Sequence, residues 1–303
     1  MPIDPQNAIN SPLGISIALM IGRYTPNWLG QRMVNFAADR ISTRKDWKMV
    51  QSVRLNQWVA NDGKLDPLDL DEAVRQNFRN TGRSIFDLYH NINNPDVFRK
   101  IIDVHPTAER LLQRPEYGDR GLVVAGIHMS NFDFIGQAAG MSGVKAMFLA
   151  MPDNHPGYRK QLEMRKEKGM NIVPTSSPAI KQAVKYLRKG GMVMTGLDRP
   201  DESYPYRPIF FGQPAPLPIH HIFMALKAQV PVLVGSVIWR PDGKYHFLFS
   251  EPIEMQTHPD RHKEIIQNAE NVLHIAEAFI RQDPSQWSMA FPVWPDIMEQ
   301  VPV

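Results

Sequence analysis

The sequence of 303 residues contains no cysteine. This absence excludes disulfide bonds, thiolate metal ligands and a cysteine nucleophile, although it leaves the cellular compartment open. Long hydrophobic runs are also missing. The best candidate, residues 13–22 (LGISIALMIG), extends for ten residues before Arg23 interrupts it, whereas a helix needs about 20 to span a bilayer. No basic residue precedes this run, so it is a poor signal peptide. We therefore expect a soluble or peripheral protein on the cytoplasmic side.

Strong charge imbalance and nucleotide-binding motifs are absent as well. The net charge of +3 and the pI near 9.0 represent a mild basic excess, and we expect no nucleic-acid partner. Residues 121–126 do not form a dinucleotide-binding fingerprint, and no P-loop is present. The composition, 43% hydrophobic and 21% charged, is ordinary for a globular enzyme.

The chain changes in character near residue 118. Residues 9–112 are mostly helical in pattern, and residues 70–92 carry apolar side chains at close to helical spacing. Beyond residue 118, short apolar runs alternate with charged periodic stretches. The predicted strands are 121–127, 145–150, 191–196, 230–239 and 245–250. The predicted helices are 156–168, 178–189, 219–228 and 260–281.

This alternation of strands and helices predicts an α/β fold, with a mostly parallel central sheet flanked by helices and a helical N-terminal region. We predict that residues 1–115 form a helical cover and residues 116–303 the α/β core, both within one integrated domain. The turn sequence Pro241-Asp242-Gly243 favours an antiparallel hairpin between the last two strands.

A histidine and a carboxylate stand close together where the first strong strand should end. In residues 121–136 (GLVVAGIHMSNFDFIG) the apolar run leads to His128, and Asp133 follows. On one helix this spacing would separate the two side chains by about 140°. We therefore expect a strand–turn–helix junction, with His128 at the strand end and Asp133 in the first helical turn. A carboxylate bonded to one ring nitrogen would orient the imidazole, and the other nitrogen could accept a proton from a hydroxyl.

A purely structural interpretation of these residues stays open. Ser130 and Asp133 fit a capping box at a helix start, and His128 would then be an ordinary loop residue. Three further stretches bear on the choice: TGLDRPDES (195–203) follows another predicted strand, PIFFGQPAPLP (208–218) leads into a helix, and DPSQWSMAFPVWPD (283–296) follows the last helix.

The motifs resemble, in their order along the chain, those of the lysophospholipid acyltransferase superfamily. This order is His-x4-Asp, an acid–Arg loop, FFG.PA.LP, a strand with PV, EP and P.QW. The resemblance is closest to the branch of bacterial lipid A late acyltransferases and mycobacterial phosphatidylinositol mannoside acyltransferases. It covers most of the chain from about residue 20 to 296 and is densest between 121 and 218.

The resemblance implies an acyltransferase that moves a fatty acyl chain from a thioester donor, acyl-CoA or acyl carrier protein, to a hydroxyl of a lipid or glycolipid. It implies no cofactor beyond the donor and a location at the inner face of the cell membrane. By the same resemblance His128 is the general base, and Asp133 orients it and stabilises the imidazolium. Direct attack on the thioester requires no enzyme nucleophile, which suits a chain without cysteine.

Further residues are candidates for binding substrate, and each has a structural alternative. Backbone N–H groups at the helix start after Ser130 could stabilise an oxyanion, and Arg165 could hold donor phosphates or the acceptor headgroup unless it lies on a solvated helix face. The loop after residue 197 could bind substrate or form a surface turn. The complete set of candidate binding residues is Ser130, Asn131, Arg165, Asp198, Arg199 and Glu202.

Other conspicuous residues have less specific interpretations. We expect His220 and His221 to be a structural pair, not a metal site, since no third ligand has suitable spacing. Phe210, Phe211 and the methionines of 141–151 could line an acyl groove or belong to the core.

The N-terminal region combines apolar and basic residues at helical spacing. Residues 9–40 suit a helix pair that rests on an anionic membrane surface, or a helical cover of the sheet with its basic edges in water. Two rival functions also stay open: a hydrolase with Ser130 as nucleophile, although both glycines of the G-x-S-x-G elbow are missing, and a non-catalytic lipid-binding protein.

Overall fold

A computed structural model of the protein describes residues 11–91, 94–104, 106, 120–141, 143–152 and 156–302. The helices are α1 (Pro12–Tyr24), α2 (Asn27–Ser42), α3 (Lys48–Ala60), α4 (Pro67–Asn91), α5 (Pro95–Ile101), α6 (Phe132–Met141), α7 (Pro156–Glu167), α8 (Ser177–Leu187), α9 (His220–Ala228) and α10 (Arg261–Ile280). The strands are β1 (Ile102–Val104), β2 (Leu122–Gly126), β3 (Ala146–Ala150), β4 (Asn171–Pro174), β5 (Met192–Gly196), β6 (Ile209–Phe210), β7 (Gln213–Pro214), β8 (Val232–Trp239) and β9 (Tyr245–Phe249).

The predicted α/β fold with a mostly parallel central sheet and a helical N-terminal region is confirmed. The main sheet has the order β1-β9-β8-β2-β5-β3-β4. Neighbours pair in parallel except β8 and β9. These two strands form the predicted antiparallel hairpin. The sequence pattern missed β1 and β4, which are short, and the small β6–β7 hairpin.

Local capping chemistry fixes where several helices begin. The Ser11 side chain accepts the Gly14 N–H before α1, Ser176 accepts that of Ala179 before α8, and Asp260 accepts two N–H groups before α10. A side-chain oxygen at the N-cap satisfies backbone donors that have no partner within the helix.

Three glycines lie side by side across the middle of the sheet. Gly126 on β2 pairs in register with Gly196 on β5 and with Gly235 on β8. A Cβ on Gly196 would lie 3.0 Å from the His128 ring, and one on Gly235 would lie 2.8 Å from the Phe249 ring. The missing side chains thus leave room for these two rings at the edge where a parallel sheet binds ligands.

The N-terminal helices share the core of the sheet. Leu55 and Val59 of α3 belong to the same buried cluster as β2 and β8 residues. The division into residues 1–115 and 116–303 within one integrated domain stays a prediction. The boundary predicted between residues 115 and 116 lies outside the described residues, as do residues 9 and 10 of the predicted membrane-contacting stretch. In the part of the chain that is described, no helix combines the length and hydropathy needed to cross a bilayer.

Candidate active site

A cavity of about 660 Å³ opens at the carboxyl ends of the central strands. Its apolar lining comes from the sheet face that carries the three glycines and from α6 and α7. Val124 pairs with Met194 in register and Met194 with Phe148, so these side chains share one face. The lining residues that the following argument uses are His128, Asp133, Arg165, Thr195, Arg199, Asp201, Tyr204 and His220.

His128 lies on this cavity, two residues after β2, and it has a carboxylate partner. Its Nδ1 lies 2.6 Å from Oδ1 of Asp198, and its backbone N–H donates to Oδ2 of the same residue at 2.9 Å. The His128 side chain is 26% exposed and that of Asp198 is fully buried. Within the described residues no hydrogen bond involves Nε2, which leaves that nitrogen for a ligand.

The partner of His128 is therefore Asp198 and not Asp133, and the predicted orientation of His128 by Asp133 is wrong. The reason lies in the strand pairing. Gly126 and Gly196 are in register on adjacent parallel strands, and His128 and Asp198 each follow two residues later. Parallel strands end at the same edge, so residues 70 positions apart in sequence meet there. Asp198 was predicted to bind substrate, but it is buried against Nδ1 of His128.

Asp133 lies in the first turn of α6, as predicted, but it binds Arg165 of α7. Arg165 Nε donates to Oδ1 at 2.7 Å and its Nη2 donates to Oδ2 at 2.8 Å. This two-point contact suits a guanidinium and a carboxylate. Burial alone would lower the pKa of Arg165, but the charge and hydrogen bonds of Asp133 dominate and raise that pKa. Both residues line the cavity, which places a fixed, compensated cation on its wall.

Trp287 holds the other side of Asp198. Its indole Nε1–H donates to Oδ2 at 2.8 Å. The chain around Trp287 is fastened to the histidine loop, because the Ser130 N–H donates to the Gln286 carbonyl at 2.7 Å and the Ser288 N–H donates to the His128 carbonyl at 2.8 Å. The P.QW segment, recognised in the sequence only as a family motif, thus supplies a donor to the buried carboxylate.

These donors keep Asp198 ionised in the interior. Burial is the strongest influence and by itself would raise the pKa of the carboxyl. The positive charge of His128 and the hydrogen bonds from His128 and Trp287 outweigh it, so the pKa lies below the usual 3.8. An ionised carboxylate on Nδ1 fixes the ring and stabilises its protonated form.

The remaining predicted binding residues divide into two groups. Arg199 lines the cavity, with its guanidinium 4.3 Å from the centre of the Phe291 ring. Glu202 does not approach His128, because it is exposed and binds Arg207. Its position in the loop after Asp198 turns it toward solvent.

Ser130 and Asn131 are buried but are not among the described residues that line the cavity. Ser130 has a φ of 47°, in the left-handed region, and its N–H is engaged by Gln286. Asn131 donates its side-chain N–H to the Ser84 carbonyl at 2.7 Å. Both residues shape the turn that presents His128. Ser130 is buried and outside the described lining, so the structure gives no basis for it as a nucleophile. Oxyanion stabilisation by the N–H groups that follow Ser130 stays a prediction.

The two histidines of α9 differ. His220 lines the cavity and is hydrogen-bonded to Thr195 and Tyr204, so it is more than the structural residue we expected. His221 is buried in the core. Among the described residues no group of three His, Cys, Asp or Glu side chains could hold a metal ion. Phe210 and Phe211 pack on Trp287 and Trp294 in the core, whereas Met151 lines the cavity.

Comparison with known proteins identifies one family. A family model described as bacterial lipid A biosynthesis acyltransferase matches residues 70–295, which is more than half of the chain. The matched range includes His128, Asp133, Arg165, Asp198 and Trp287. A search of curated proteins finds no match.

We predict that Trp287→Phe raises by about one unit the pH at which the melting temperature begins to fall on the acid side. The pKa of Asp198 is lowered on folding, so its ionised form stabilises the fold above the unfolded-state pKa, and this contribution disappears as the pH falls through the folded-state pKa. Loss of the indole donor raises the folded-state pKa, and protonation then begins at higher pH. The measurement is melting temperature against pH.

Trp294→Phe is the matched control. Trp294 packs in the same cluster, 6.1 Å from Trp287 between ring centres, and its buried indole nitrogen has no hydrogen-bond partner among the described residues. Both substitutions remove the same atoms from the same aromatic cluster, so only the bond to Asp198 differs. Equal pH profiles in the two variants would contradict the prediction.

We also predict that Asp133 and Arg165 act as one unit. Removing one partner leaves the other partly buried and unpaired, which should cost about 2 kcal/mol of stability. Asp133→Asn, Arg165→Gln and the double variant should therefore lose similar amounts of activity, with the double variant far from the sum of the singles. Arg159→Gln, an exposed position of α7, is the control. Additive losses in turnover and melting temperature would show that the two residues act independently.

Proposed function

The chain belongs to the bacterial lipid A biosynthesis acyltransferase family, and from this membership we propose that it transfers a fatty acyl chain from a thioester donor to a hydroxyl of a lipid or glycolipid at a membrane surface. The donor is acyl-CoA or an acyl carrier protein, both of which present the same thioester. The observation that carries the proposal is an oriented imidazole, His128, on the wall of a largely apolar cavity, with the buried carboxylate of Asp198 on its Nδ1.

In the proposed reaction the Nε2 of His128 takes the proton of the acceptor hydroxyl, while the oxygen of that hydroxyl attacks the thioester carbonyl carbon. The resulting imidazolium is stabilised by Asp198. As the tetrahedral intermediate collapses, the C–S bond breaks, and the leaving thiolate takes the proton from Nε2. The product is an ester, and the free thiol is released. Every step uses His128 as the proton carrier and needs no enzyme nucleophile.

Two arginines supply positive charge to the cavity. Arg165 is fixed by Asp133, and Arg199 lies over the Phe291 ring. We propose that Arg165 stabilises negative charge on the bound donor. Its paired carboxylate keeps it in position, so little reorganisation is needed when substrate binds. Asp133 thereby contributes to activity through Arg165 and not through His128.

The apolar part of the cavity suits the acyl chain. Its volume of about 660 Å³ falls in the range of small-molecule sites. The missing Cβ of Gly196 leaves space for the His128 ring at its edge. The apolar residues of this part are Val124, Phe148, Met170, Ile172, Met194 and Phe249.

The N-terminal helices present a surface suited to anionic lipid. Three large aromatic side chains of α1 and α2 are strongly exposed: Tyr24 at 72%, Trp28 at 62% and Phe36 at 64%. Each has an arginine guanidinium within 5.5 Å of its ring centre; the arginines are Arg23, Arg32 and Arg40. Aromatic rings and arginines in this combination are favourable at the boundary between headgroups and acyl chains.

Helix α1, which carries part of this surface, contacts a helix that lines the cavity. Lys160 of α7 donates to the Ser16 hydroxyl of α1 at 2.6 Å, and α7 also carries Tyr158, Gln161 and Arg165 on the cavity. A membrane under α1 and α2 would therefore lie near the site that receives lipid substrates.

We predict that His128→Ala lowers acyl transfer by about 10²–10⁴-fold with little change in melting temperature, since the histidine is at the cavity surface. Purified protein is incubated with labelled palmitoyl-CoA or palmitoyl acyl carrier protein and a total lipid extract, and mass spectrometry identifies the lipid that gains the chain. His274→Ala, an exposed histidine of α10, is the control. Near wild-type turnover in His128→Ala would refute the assignment of the base, and no thioester turnover by the wild type with either donor would favour a non-catalytic lipid-binding protein.

We further predict that the protein floats with anionic liposomes and that binding weakens at high salt. Each arginine near an anionic surface contributes about 1 kcal/mol, so Arg23→Gln together with Arg32→Gln should weaken binding roughly tenfold or more. The double variant Lys181→Gln and Lys185→Gln removes the same charge from exposed positions of α8 and should bind as the wild type does. Equal binding to neutral and anionic vesicles, or none to either, would contradict the proposed surface.

A further inference from the structure

Part of the cavity wall carries three polar side chains that the proposed mechanism does not use. Thr195 at the end of β5, His220 at the start of α9 and Tyr204 in the loop between them all line the cavity. The Thr195 Oγ1 lies 2.6 Å from His220 Nε2, and the Tyr204 hydroxyl lies 3.2 Å from Nδ1. The imidazole therefore links two hydroxyl groups.

The three side chains together have one hydrogen-bond donor more than the contacts between them use. Burial is the dominant influence on His220 and lowers its pKa to about 4, against a smaller opposing effect of Asp201, so the ring is neutral near pH 7 and has one N–H. With the two hydroxyls the group holds three polar hydrogens, and the two links within it use two of them. The third is available to a ligand in the cavity.

The distances indicate where this third hydrogen lies. If Tyr204 donated to His220, the Thr195 hydroxyl would have to point elsewhere, and its other protein acceptor among the described residues is the Gly196 carbonyl at 3.5 Å, the outer limit of a hydrogen bond. In the opposite direction Thr195 donates to His220 over 2.6 Å, and His220 donates to Tyr204. The Tyr204 O–H is then the free donor.

We propose that Thr195, His220 and Tyr204 form an acceptor subsite, in which the Tyr204 hydroxyl donates a hydrogen bond to a neutral hydroxyl oxygen of the acceptor headgroup, as in a sugar or another polyol. This inference rests on the proposed acyl transfer. Among the described lining residues, those next to this subsite carry one cation, Arg199, and one carboxylate, Asp201. Their charges cancel, so they do not select a phosphate. A neutral donor beside a carboxylate fits a hydroxyl-bearing group.

The test compares two tyrosines of the same loop. The donor probes are palmitoyl-CoA and, in parallel, palmitoyl acyl carrier protein, and the acceptor probe is octyl glucoside. Both thioester hydrolysis and transfer to the glucoside are measured. For Tyr204→Phe we expect the ratio of transfer to hydrolysis to fall about tenfold, the value of one hydrogen bond. Tyr206→Phe removes the same hydroxyl from a residue that stacks on His262 and is not among the described lining residues, and its ratio should equal that of the wild type.

A second pair of variants tests the hydrogen-bonded group of Thr195, His220 and Tyr204 itself. Thr195→Val removes the hydroxyl that fixes the direction of these hydrogen bonds and should lower the ratio of transfer to hydrolysis. Thr195→Ser keeps the hydroxyl and should have a ratio close to that of the wild type. A purely structural role of Thr195 would not separate the two variants in this way.

The outcomes distinguish failure of this inference from failure of the proposed function. No thioester cleavage by the wild type with either donor would overturn the proposed function. Cleavage without transfer to the glucoside would overturn the neutral-headgroup subsite. Equal ratios in Tyr204→Phe and Tyr206→Phe, or a tenfold rise in the KM of the thioester donor in Tyr204→Phe, would overturn the acceptor role of the three residues while leaving acyl transfer intact.

Discussion

The buried carboxylate of Asp198 is the constraint on which the site depends. An ion without solvent is very unfavourable unless protein groups replace the lost water. Here three do so: the ring and backbone N–H groups of His128 and the indole of Trp287. The position of the imidazole at the cavity follows from this requirement, because the loop after β2 must lie where its N–H groups reach the end of β5.

The helical N-terminal region holds the segment that contains Trp287 in place. Side-chain amides of α3 and α4 donate to backbone carbonyls around Trp287: Asn56 to Met289 and Phe291, Gln57 to Pro284, and Asn77 to Ser285 and Trp287. These amides are buried, so each unmade bond would be costly. The helices that carry the proposed membrane surface and those that hold the segment of Trp287 belong to the same N-terminal region.

The cavity combines two chemistries on either side of His128. One sheet face offers an apolar surface, formed by side chains that include Val124, Met194 and Phe249. The other side, at Thr195, Tyr204 and His220, offers hydrogen bonds. Alternation along β5 produces this division, since Met194 and Thr195 point to opposite faces of the sheet. The proposed transfer of an acyl chain to a hydroxyl would bring an apolar and a polar partner together at His128.

The sequence by itself determined the alternation of strands and helices, the antiparallel hairpin, the place of His128 beyond a buried strand and the family, since these depend on local periodicity and ordered motifs. Only the tertiary structure decided which carboxylate serves His128. Local spacing favoured Asp133, but Asp133 is held by Arg165 of α7, and Asp198 reaches the ring through the register of β2 and β5. Glu202 turned to solvent, and His220 joined Thr195 and Tyr204, for the same reason: strand order and helix packing bring distant residues together, and no local pattern in the chain encodes those contacts.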